Sequence, residues 1–471
     1  MSLPNTHYGT EYISSLLDGK KKIFFAGIGG VSMCSLAHIT HLRGHEVCGY
    51  DRTPSKSTKA LEDEGIAVYY ESDADHMKDV DLLVYTVAIP ADNEEYAYAG
   101  KNSVPCVSRA DYLGYLMSGY EKRIGVSGMH GKSTTTSMLS HIFSTADLDP
   151  TVSCGAVMLD EGNAYRIGGN EFFIFEACEY MDSFLDFYPT TAIILNIEMD
   201  HVDYFKSMAQ IETSFGRFVR RCGAGGTAVV NAADANVMRA VAGFEGNTVT
   251  FGSDCPEADY CASDISFNRG CARFTVSLRG HRLCEIALSV PGAHLIDDSL
   301  AAFAAAHVNG VGIDNIKNAL ESFTGAARRM EKCGSTPAGA DVFSDYAHHP
   351  TEIAATLAAA REMGYNRVFC VFQPHTYSRT AELFDAFGKA LAEGGCAEIV
   401  LADIYSARET DSLGVSSSML EERLKKLGAR ASYIPDFGDM ADYLLAKCTD
   451  GDMIIIMGAG DISSAVRLLL Q

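Results

Sequence analysis

The chain has 471 residues, of which 47% are apolar and 21% are charged, and its formal net charge is -23. This composition is typical of a soluble globular protein, and the length predicts about three domains. The negative charge excludes nucleic acid as the main partner, because a phosphate backbone attracts basic surfaces.

No part of the sequence has the pattern of a targeting or membrane segment. The first twenty residues are polar and lack the apolar stretch of a signal peptide, and no apolar run approaches the roughly 18 residues of a membrane span. The fourteen cysteines are scattered without a C-x-x-C pair, which favours free thiols in a reducing compartment over a metal site. We therefore expect a cytoplasmic protein, either a monomer or a homodimer.

The opening segment has a βαβ pattern. An apolar strand, a glycine turn, a helix and a second strand that ends in a carboxylate are predicted at 23–26, at Gly27, Gly29 and Gly30, at 31–42, and at 46–50 with Asp51. In dinucleotide-binding folds such a turn holds a diphosphate, and the carboxylate accepts hydrogen bonds from ribose hydroxyls. Ser32 stands where the strict fingerprint has a third glycine, so a bare strand–helix turn is the alternative.

The alternation of strands and helices continues to a boundary at Ser118 and Gly119. Strands are predicted at 65–70, 81–86 and 104–107, and a helix at 109–117. The loop that starts at Thr86 follows the carboxyl end of a strand, where open parallel sheets bind ligands.

A second glycine turn lies between a short apolar strand, 124–126, and a helix that begins at the threonines. Its residues are Gly128, Met129, His130, Gly131, Lys132, Ser133 and Thr134. In phosphate-binding loops of this layout, backbone N–H groups surround phosphate oxygens, the lysine reaches the β and γ phosphates, and the hydroxyl binds Mg²⁺. Val126 occupies the first glycine position of the general pattern, so an incidental tight turn is the alternative.

Two later strands of this region end in polar side chains. Glu176 closes an apolar strand and is a candidate Mg²⁺ ligand, the alternative being an exposed edge residue. The buried strand 192–195 is followed within eight residues by Asn196, Glu198, Asp200, His201 and Asp203. Such a density of polar groups predicts a metal or phosphate site rather than core packing.

The rest of the chain supplies one β-rich region and a second doubly wound pattern. Strands or β-rich runs are predicted at 228–231, 248–290, 341–343, 367–372, 398–402 and 453–457, and an alanine-rich helix at 299–307. The paired Arg328 and Arg329 would clamp a phosphate or belong to a solvated linker. Polar clusters with His348, His349 and His375 follow the last strands, at the edge where such sheets bind ligands.

Six motifs in this order resemble those of the Mur ligases. They are residues 27–30, 128–134, 196–201, 345–352, 372–375 and 403–409. The resemblance covers essentially the whole chain and implies an α/β fold of three domains. These would be a Rossmann-like UDP-sugar-binding domain at 1–118, a central P-loop ATPase domain with a parallel sheet and a flanking β-sheet at 119–325, and a C-terminal Rossmann-like amino-acid domain at 326–471.

The resemblance also implies ATP-dependent amide formation in peptidoglycan precursor synthesis. With ATP and Mg²⁺, or Mn²⁺ in its place, the lactyl carboxylate of UDP-N-acetylmuramate would become an acyl phosphate, and the amine of L-alanine would displace phosphate. The implied catalytic residues are Lys132, Glu176, His201, His348, His375 and Arg379. The implied ATP-binding residues are Gly128, Met129, His130, Gly131, Lys132, Ser133, Thr134, His294, Arg328, Arg329 and Asp345.

The same resemblance assigns the remaining site residues. UDP-sugar contacts are implied for Gly27, Gly29, Gly30, Asp51, Thr86, Tyr346, His348 and Tyr405, and metal contacts for Ser133, Glu176 and His201. The chain departs from the family's usual residues at several motif positions, among them Met129, Cys178, Leu295, Asp298 and Thr376. Two alternatives therefore stay open: a related ligase for another amino acid or UDP-sugar, and a non-catalytic UDP-sugar-binding regulatory protein.

Overall fold

The structure, a computed structural model, describes residues 3–90, 92–201, 204–407 and 409–471. Its strands form α/β layers in which helices cover parallel sheets. The chain divides into two compact units, Met1–Ile197 with Ala209–Val249, and Glu198–Met208 with Thr250–Gln471.

The first unit begins with a five-stranded parallel sheet in the order β3-β2-β1-β4-β5. Its strands are β1 (Lys22–Ala26), β2 (Glu46–Tyr50), β3 (Ala67–Tyr69), β4 (Leu82–Tyr85) and β5 (Cys106–Ser108). Its helices are α1 (Thr10–Leu16), α2 (Val31–Leu42), α3 (Lys56–Asp63), α4 (Glu94–Asn102) and α5 (Arg109–Met117). Because β2 and β4 lie on opposite sides of β1, a crevice opens at the carboxyl end of β1.

The same unit contains a second sheet with strands in the order β11-β10-β6-β9-β7-β8. These strands are β6 (Lys122–Ser127), β7 (Thr151–Met158), β8 (Asn163–Arg166), β9 (Phe172–Glu176), β10 (Thr191–Ile194) and β11 (Thr227–Asn231). The associated helices are α6 (Lys132–Thr145), α7 (Met208–Arg220) and α8 (Ala235–Ala240). Strand β6 lies between β9 and β10 and runs parallel to both, so the turn after β6 also lies where the strand order reverses.

The second unit opens with the β-rich region. Its elements are β12 (Asn247–Ser253), β13 (Tyr260–Asn268), β14 (Cys271–Leu278), β15 (His281–Pro291), α9 (Leu295–Val308) and α10 (Ile313–Ser322). Strands β13, β14 and β15 pair antiparallel as a meander. Alanines make α9 narrow and almost completely buried, so that it packs closely against this sheet.

The last sheet has six strands in the order β16-β17-β21-β18-β19-β20. Its strands are β16 (Glu331–Ser335), β17 (Asp341–Asp345), β18 (Arg367–Phe372), β19 (Glu398–Leu401), β20 (Ala431–Tyr433) and β21 (Asp452–Met457). Its helices are α11 (Pro350–Glu362), α12 (Tyr377–Glu382), α13 (Phe384–Glu393), α14 (Ser417–Lys426), α15 (Phe437–Leu445) and α16 (Ala465–Leu469). Alternate residues of the central strands enter two apolar cores, one on each face, which explains their continuous apolar sequence.

The predicted α/β architecture is confirmed, and the predicted strands begin and end within two residues of the observed ones. The helix predicted at 299–307 differs, because it begins at Leu295. Leu295 and Ile296 are buried, and Asp297 and Asp298 lie in the first turn, where carboxylates favour the helix dipole. All fourteen cysteines are free thiols. In the described part of the chain, no helix combines the length and the apolar character that crossing a membrane requires.

Helix α5 packs unusually closely against the segment Tyr180–Asp186 of the same unit. A Cβ at Gly114 would lie 2.1 Å from the backbone oxygen of Asp186, so only glycine permits this approach. Gly100, in α4, has open space instead of close packing. A Cβ there would have no neighbouring atom within 4 Å.

We expect Gly114→Ala to destabilise the protein and Gly100→Ala to leave its stability unchanged or raised. A methyl group forced against packed backbone costs about 1–3 kcal/mol, whereas alanine in an open helical position gains up to about 1 kcal/mol over glycine. Thermal unfolding followed by circular dichroism measures both variants. A Gly114→Ala protein that melts at or above the wild-type temperature would contradict the close packing of α5.

Candidate active site

A cavity of about 430 Å³ opens at the carboxyl end of β1. Its lining includes Gly27, Gly30, Asp51 and Thr86, four residues that were predicted to bind a UDP-sugar. Gly27 has a φ of +85°, and a Cβ there would lie 2.6 Å from the Thr86 side chain. The turn therefore needs glycine at this position. The volume is in the range of small-molecule sites.

The Asp51 carboxylate holds this glycine turn in place. Its Oδ2 accepts a hydrogen bond from the Gly29 N–H at 2.8 Å. Through this hydrogen bond, Asp51 connects the tip of β2 with the loop that precedes α2. Asp51 also lines the cavity.

The second glycine turn joins β6 to α6 and is supported from the side by a neighbouring strand. Gly128 and Gly131 have φ values of +145° and +83°, which favour glycine. Asn196, which follows β10, accepts from the His130 N–H at 2.9 Å and donates to the His130 oxygen at 3.1 Å. Val126 belongs to β6 and is fully buried. The turn therefore begins after Val126, whereas the general pattern has its first glycine at this position.

The Lys132 ammonium group lies inside this turn. It donates to the backbone oxygens of Gly128 at 2.5 Å and Met129 at 3.1 Å, and it pairs with Glu179 Oε2 at 3.0 Å. Burial lowers the pKa of Lys132, but Glu179, acting together with Cys178 and Glu176, outweighs this effect and raises the pKa above its ordinary value. The raised pKa favours the charged form of this ammonium group inside the turn.

Ser133 and Glu176 form a pair of oxygen ligands at the start of α6. The Ser133 hydroxyl donates to Glu176 Oε2 at 2.8 Å, and the same oxygen accepts from the Gly155 N–H at 2.8 Å. Hydroxyl and carboxylate oxygens are the ligands that Mg²⁺ prefers. The pair fits a Mg²⁺ site, and Glu176 is not a free edge residue.

The remaining polar groups after β10 belong to the second unit. The His201 backbone has a φ of +50° and donates to Asp200 Oδ1 at 2.6 Å. Glu198 accepts from the Thr351 hydroxyl at 3.0 Å. Asp203 lies outside the described residues.

Asp200 forms a buried ion pair with Arg379 of α12. The Nη2–Oδ1 distance is 3.1 Å. Burial would raise the pKa of Asp200, but His201 and Arg379 outweigh it and hold the pKa well below its usual range. Thr376 accepts from the Arg379 N–H and caps the same helix. This pairing fixes the direction of the arginine, which was predicted to be catalytic.

Two arginines surround an aromatic ring beside β17. The guanidinium carbons of Arg328 and Arg329 lie 4.8 and 5.1 Å from the Tyr346 ring centroid. Arg328 also donates to the backbone oxygens of Gly458 and Gly460, which follow β21. Two adjacent cations on one ring favour a bound anion.

Asp345 ends β17 as a buried carboxylate. It accepts hydrogen bonds from the backbone N–H groups of Met330 and Ala347, each at 2.8 Å. Burial raises the pKa of Asp345, although Arg329 opposes the shift. This residue orders the loop that carries both arginines.

His375, which follows β18, is enclosed by rings and cations. It stacks on Tyr405 at 5.6 Å, meets the His348 ring edge-on at 5.9 Å, and has Nδ1 3.4 Å from Arg379 Nη1. Burial lowers the pKa of His375 to about 4, and the charges of His348, Arg379 and Arg328 act in the same direction. The imidazole is therefore neutral at pH 7 and able to accept a proton.

In each of the two units, most of the predicted site residues thus lie near other predicted site residues of the same unit. His294 is exposed at the start of α9, with its ring against Gly292. Two functional candidates were missed, Arg109 in the cavity and Glu179 beside Lys132. Both follow the carboxyl end of a parallel strand, which was a usable signal in the sequence.

Comparison with known families matches three consecutive models to this chain. They are the "Mur ligase family, catalytic domain" at 22–121, the "Mur ligase middle domain" at 126–306, and the "Mur ligase, glutamate ligase domain" at 328–460. Together with the relatives below, these matches show that the chain belongs to the Mur ligase family and has its three-domain α/β fold.

Individual relatives are similar over nearly their whole length. The UDP-N-acetylmuramate–L-alanine ligase of Acetivibrio thermocellus is 44% identical, with 97% of each chain covered. The enzyme of the same name from Clostridium acetobutylicum is 45% identical, over 96% of this chain and 98% of the relative. The solved UDP-N-acetylmuramate–alanine ligase of Thermotoga maritima superposes with a TM-score of 0.80 at 29% identity, covering 95% of this chain and 97% of that one.

We expect the His375 imidazole to titrate near pH 4 in the folded protein and His348→Gln to raise its pKa toward 6.5. Removing a neighbouring positive charge makes protonation easier, so the sign of the shift is upward. A pH titration of the imidazole ¹³C resonances, assigned with His375→Gln, measures the value. A wild-type pKa near 6.5, or no change in His348→Gln, would contradict the enclosed environment.

Proposed function

We propose that this chain is an ATP-dependent ligase that joins L-alanine to the lactyl carboxylate of UDP-N-acetylmuramate and releases ADP and phosphate. The observation that carries the proposal is the phosphate loop, in which Lys132 and the Ser133–Glu176 pair occupy the positions of a nucleotide and metal site. The names of relatives more than 40% identical over almost the whole chain support the choice of substrates.

The first step forms an acyl phosphate. A carboxylate oxygen attacks the γ phosphorus of ATP, the bond to the bridging oxygen breaks, and ADP leaves. Both reactants are anions, so Lys132 would exchange its contact with Glu179 for the phosphates and offset their repulsion. Ser133 and Glu176 would hold Mg²⁺, or Mn²⁺ with the same oxygen ligands, and His201 is a further candidate; the ion would neutralise phosphate charge.

The second step forms the amide. The amine nitrogen of L-alanine attacks the acyl carbon, and phosphate leaves with the oxygen that joined it to carbon. One proton leaves the amine and can pass to the departing phosphate. Neutral His375, with a pKa of about 4, would accept a hydrogen bond from the amine and so position it. Arg379 would bind the amino-acid carboxylate, with His348 and Tyr405 beside it.

Other substrate contacts follow from the cavity and from the paired arginines. We assign the UDP part of the sugar nucleotide to the cavity lined by Gly27, Asp51 and Thr86. Arg328 and Arg329 are assigned to phosphate oxygens. The domain division 1–118, 119–325 and 326–471 is kept as a proposal, supported by the ranges of the three family matches. A reaction that uses ATP and a UDP-sugar fits the cytoplasm.

Several departures from the family pattern have structural explanations, which favours L-alanine over another acceptor. Met129 and Leu295 are 6% and 3% exposed, so their side chains are part of the packing. Thr376 caps α12 through its side chain. These side chains support the fold locally, and Thr376 helps to hold the helix of Arg379, so the changes are compatible with an L-alanine site.

The test is ADP release with Mg-ATP, UDP-N-acetylmuramate and each of L-alanine, glycine and L-serine, with mass detection of the product. We expect an L-alanine adduct, and we expect Lys132→Met to lower turnover about a hundredfold or more while binding of the UDP-sugar persists. An adduct with glycine or L-serine but not L-alanine would establish the related ligase instead. No ATP turnover with any acceptor would establish the non-catalytic binding protein.

A further inference from the structure

The carboxylate of Glu409 lies at the start of helix α12. Its Oε2 accepts hydrogen bonds from the N–H groups of Tyr377 and Ser378, the first two residues of the helix, and its Oε1 accepts from the Ser378 hydroxyl. The first N–H groups of a helix have no partner inside the helix, and hydrogen bonds to a charged acceptor are strong ones. Glu409 therefore supplies, from another part of the chain, the acceptor that this end of α12 needs.

The loop that carries Glu409 is also attached to the residues before α12. The Tyr405 N–H donates to the Pro374 oxygen at 2.9 Å, and the Thr376 N–H donates to the Tyr405 oxygen at 2.8 Å. Thr376 has a φ of +66°, which is uncommon for a residue other than glycine and costs free energy. The two backbone hydrogen bonds and the Glu409 carboxylate together hold the chain in the turn that leads into α12.

Helix α12 brings Arg379 beside His375. Asp200 accepts from the Nε and Nη2 of Arg379, and Nη1 lies 3.4 Å from His375 Nδ1. A guanidinium has five N–H donors, so the pair with Asp200 leaves others for a substrate. An α-amino acid carries its amine and its carboxylate on one carbon and therefore needs neighbouring groups for both. Arg379 and His375 are such neighbours.

Two carboxylates hold Arg379 from opposite ends. Asp200 contacts the guanidinium at the end of the side chain. Glu409 holds the two residues directly before Arg379 and so fixes the backbone from which the side chain starts. This matters for binding, because the donors of a guanidinium lie in one plane and match a carboxylate only in the right orientation.

We propose that Glu409 is a positioning residue for the amino-acid substrate. It holds the first turn of α12 in the orientation in which Arg379 receives the carboxylate of L-alanine. Because Glu409 accepts from the backbone and from Ser378, it orders the helix without occupying the guanidinium. The inference rests on the proposed function, which assigns the amino-acid carboxylate to Arg379.

Hydrogen exchange followed by mass spectrometry tests the contact without any substrate. We expect Glu409→Gln, which removes the charge and replaces one acceptor oxygen by an NH₂ group, to speed the exchange of the α12 amides about tenfold. Asp436→Asn is the matched control, because Asp436 accepts from the Gly438 and Asp439 N–H groups at the start of α15. This control should speed exchange in α15 and leave α12 unchanged. Unchanged exchange of α12 in Glu409→Gln would overturn the proposal.

Steady-state kinetics tests the effect on the substrate. We expect Glu409→Gln to raise the KM for L-alanine about tenfold and to leave the KM values for ATP and UDP-N-acetylmuramate nearly unchanged, whereas Asp436→Asn should match the wild type in all three. In an Arg379→Lys background, Glu409→Gln should add little, because both changes weaken the same interaction. If Glu409→Gln does not fold, Ser378→Ala removes only the hydroxyl contact and should show a smaller rise of the same pattern.

Two kinetic results would overturn the positioning role. An equal rise of KM for all three substrates would show a general loosening, and a fully additive loss in Arg379→Lys would show that Glu409 acts apart from that arginine. A wild-type protein without turnover of any amino acid would overturn the assignment to the substrate together with the proposed function. The exchange measurement would still decide the contact between Glu409 and α12, so the two failures are distinguishable.

Discussion

A buried ammonium group inside a backbone turn is the constraint on which the candidate ATP site depends. Lys132 can occupy the turn after β6 because glycines at both ends adopt positive φ values and because Asn196 supports the loop from the side. Glu176, the last residue of β9, and Glu179, three residues later, then give Ser133 and Lys132 one carboxylate each. The cation is thus held inside the turn, and in the proposed reaction a phosphate would take the place of Glu179.

In the other two sheets, too, the candidate binding groups lie at the carboxyl ends of parallel strands. In the first sheet, the reversal of strand order at β1 leaves the crevice that becomes the cavity of about 430 Å³. In the last sheet, β17, β18, β19 and β21 run parallel, so the groups that follow them meet at one edge. Burial, together with neighbouring positive charges, lowers the pKa of His375 there. The proposed amide formation would use both features, a charged group at the phosphates and an uncharged hydrogen-bond acceptor at the amine.

Much of this could be predicted from the sequence, because glycine turns and polar residues after apolar strands are local signals. The phosphate loop, Glu176 and the doubly wound sheets were predicted in this way. Contacts distant in sequence were not: Glu179 pairs with a residue 47 positions away, and Arg109 reaches Ser32 across 77 positions. The start of α9 at Leu295 was missed because the helix was identified from its alanine-rich part, although the acidic first turn with Asp297 and Asp298 is itself a signal of a helix start. The lowered pKa of His375 depends on burial and on neighbouring charges, which periodicity does not indicate.

The most direct test of the account follows one oxygen atom. UDP-N-acetylmuramate labelled with ¹⁸O in its lactyl carboxylate is incubated with Mg-ATP, L-alanine and the protein, and the released phosphate is analysed by mass spectrometry. An acyl phosphate requires that one carboxylate oxygen leaves with phosphorus, so the account predicts one ¹⁸O in each phosphate formed. Unlabelled phosphate released together with the amide product would contradict it, because ATP would then be cleaved without activating the carboxylate.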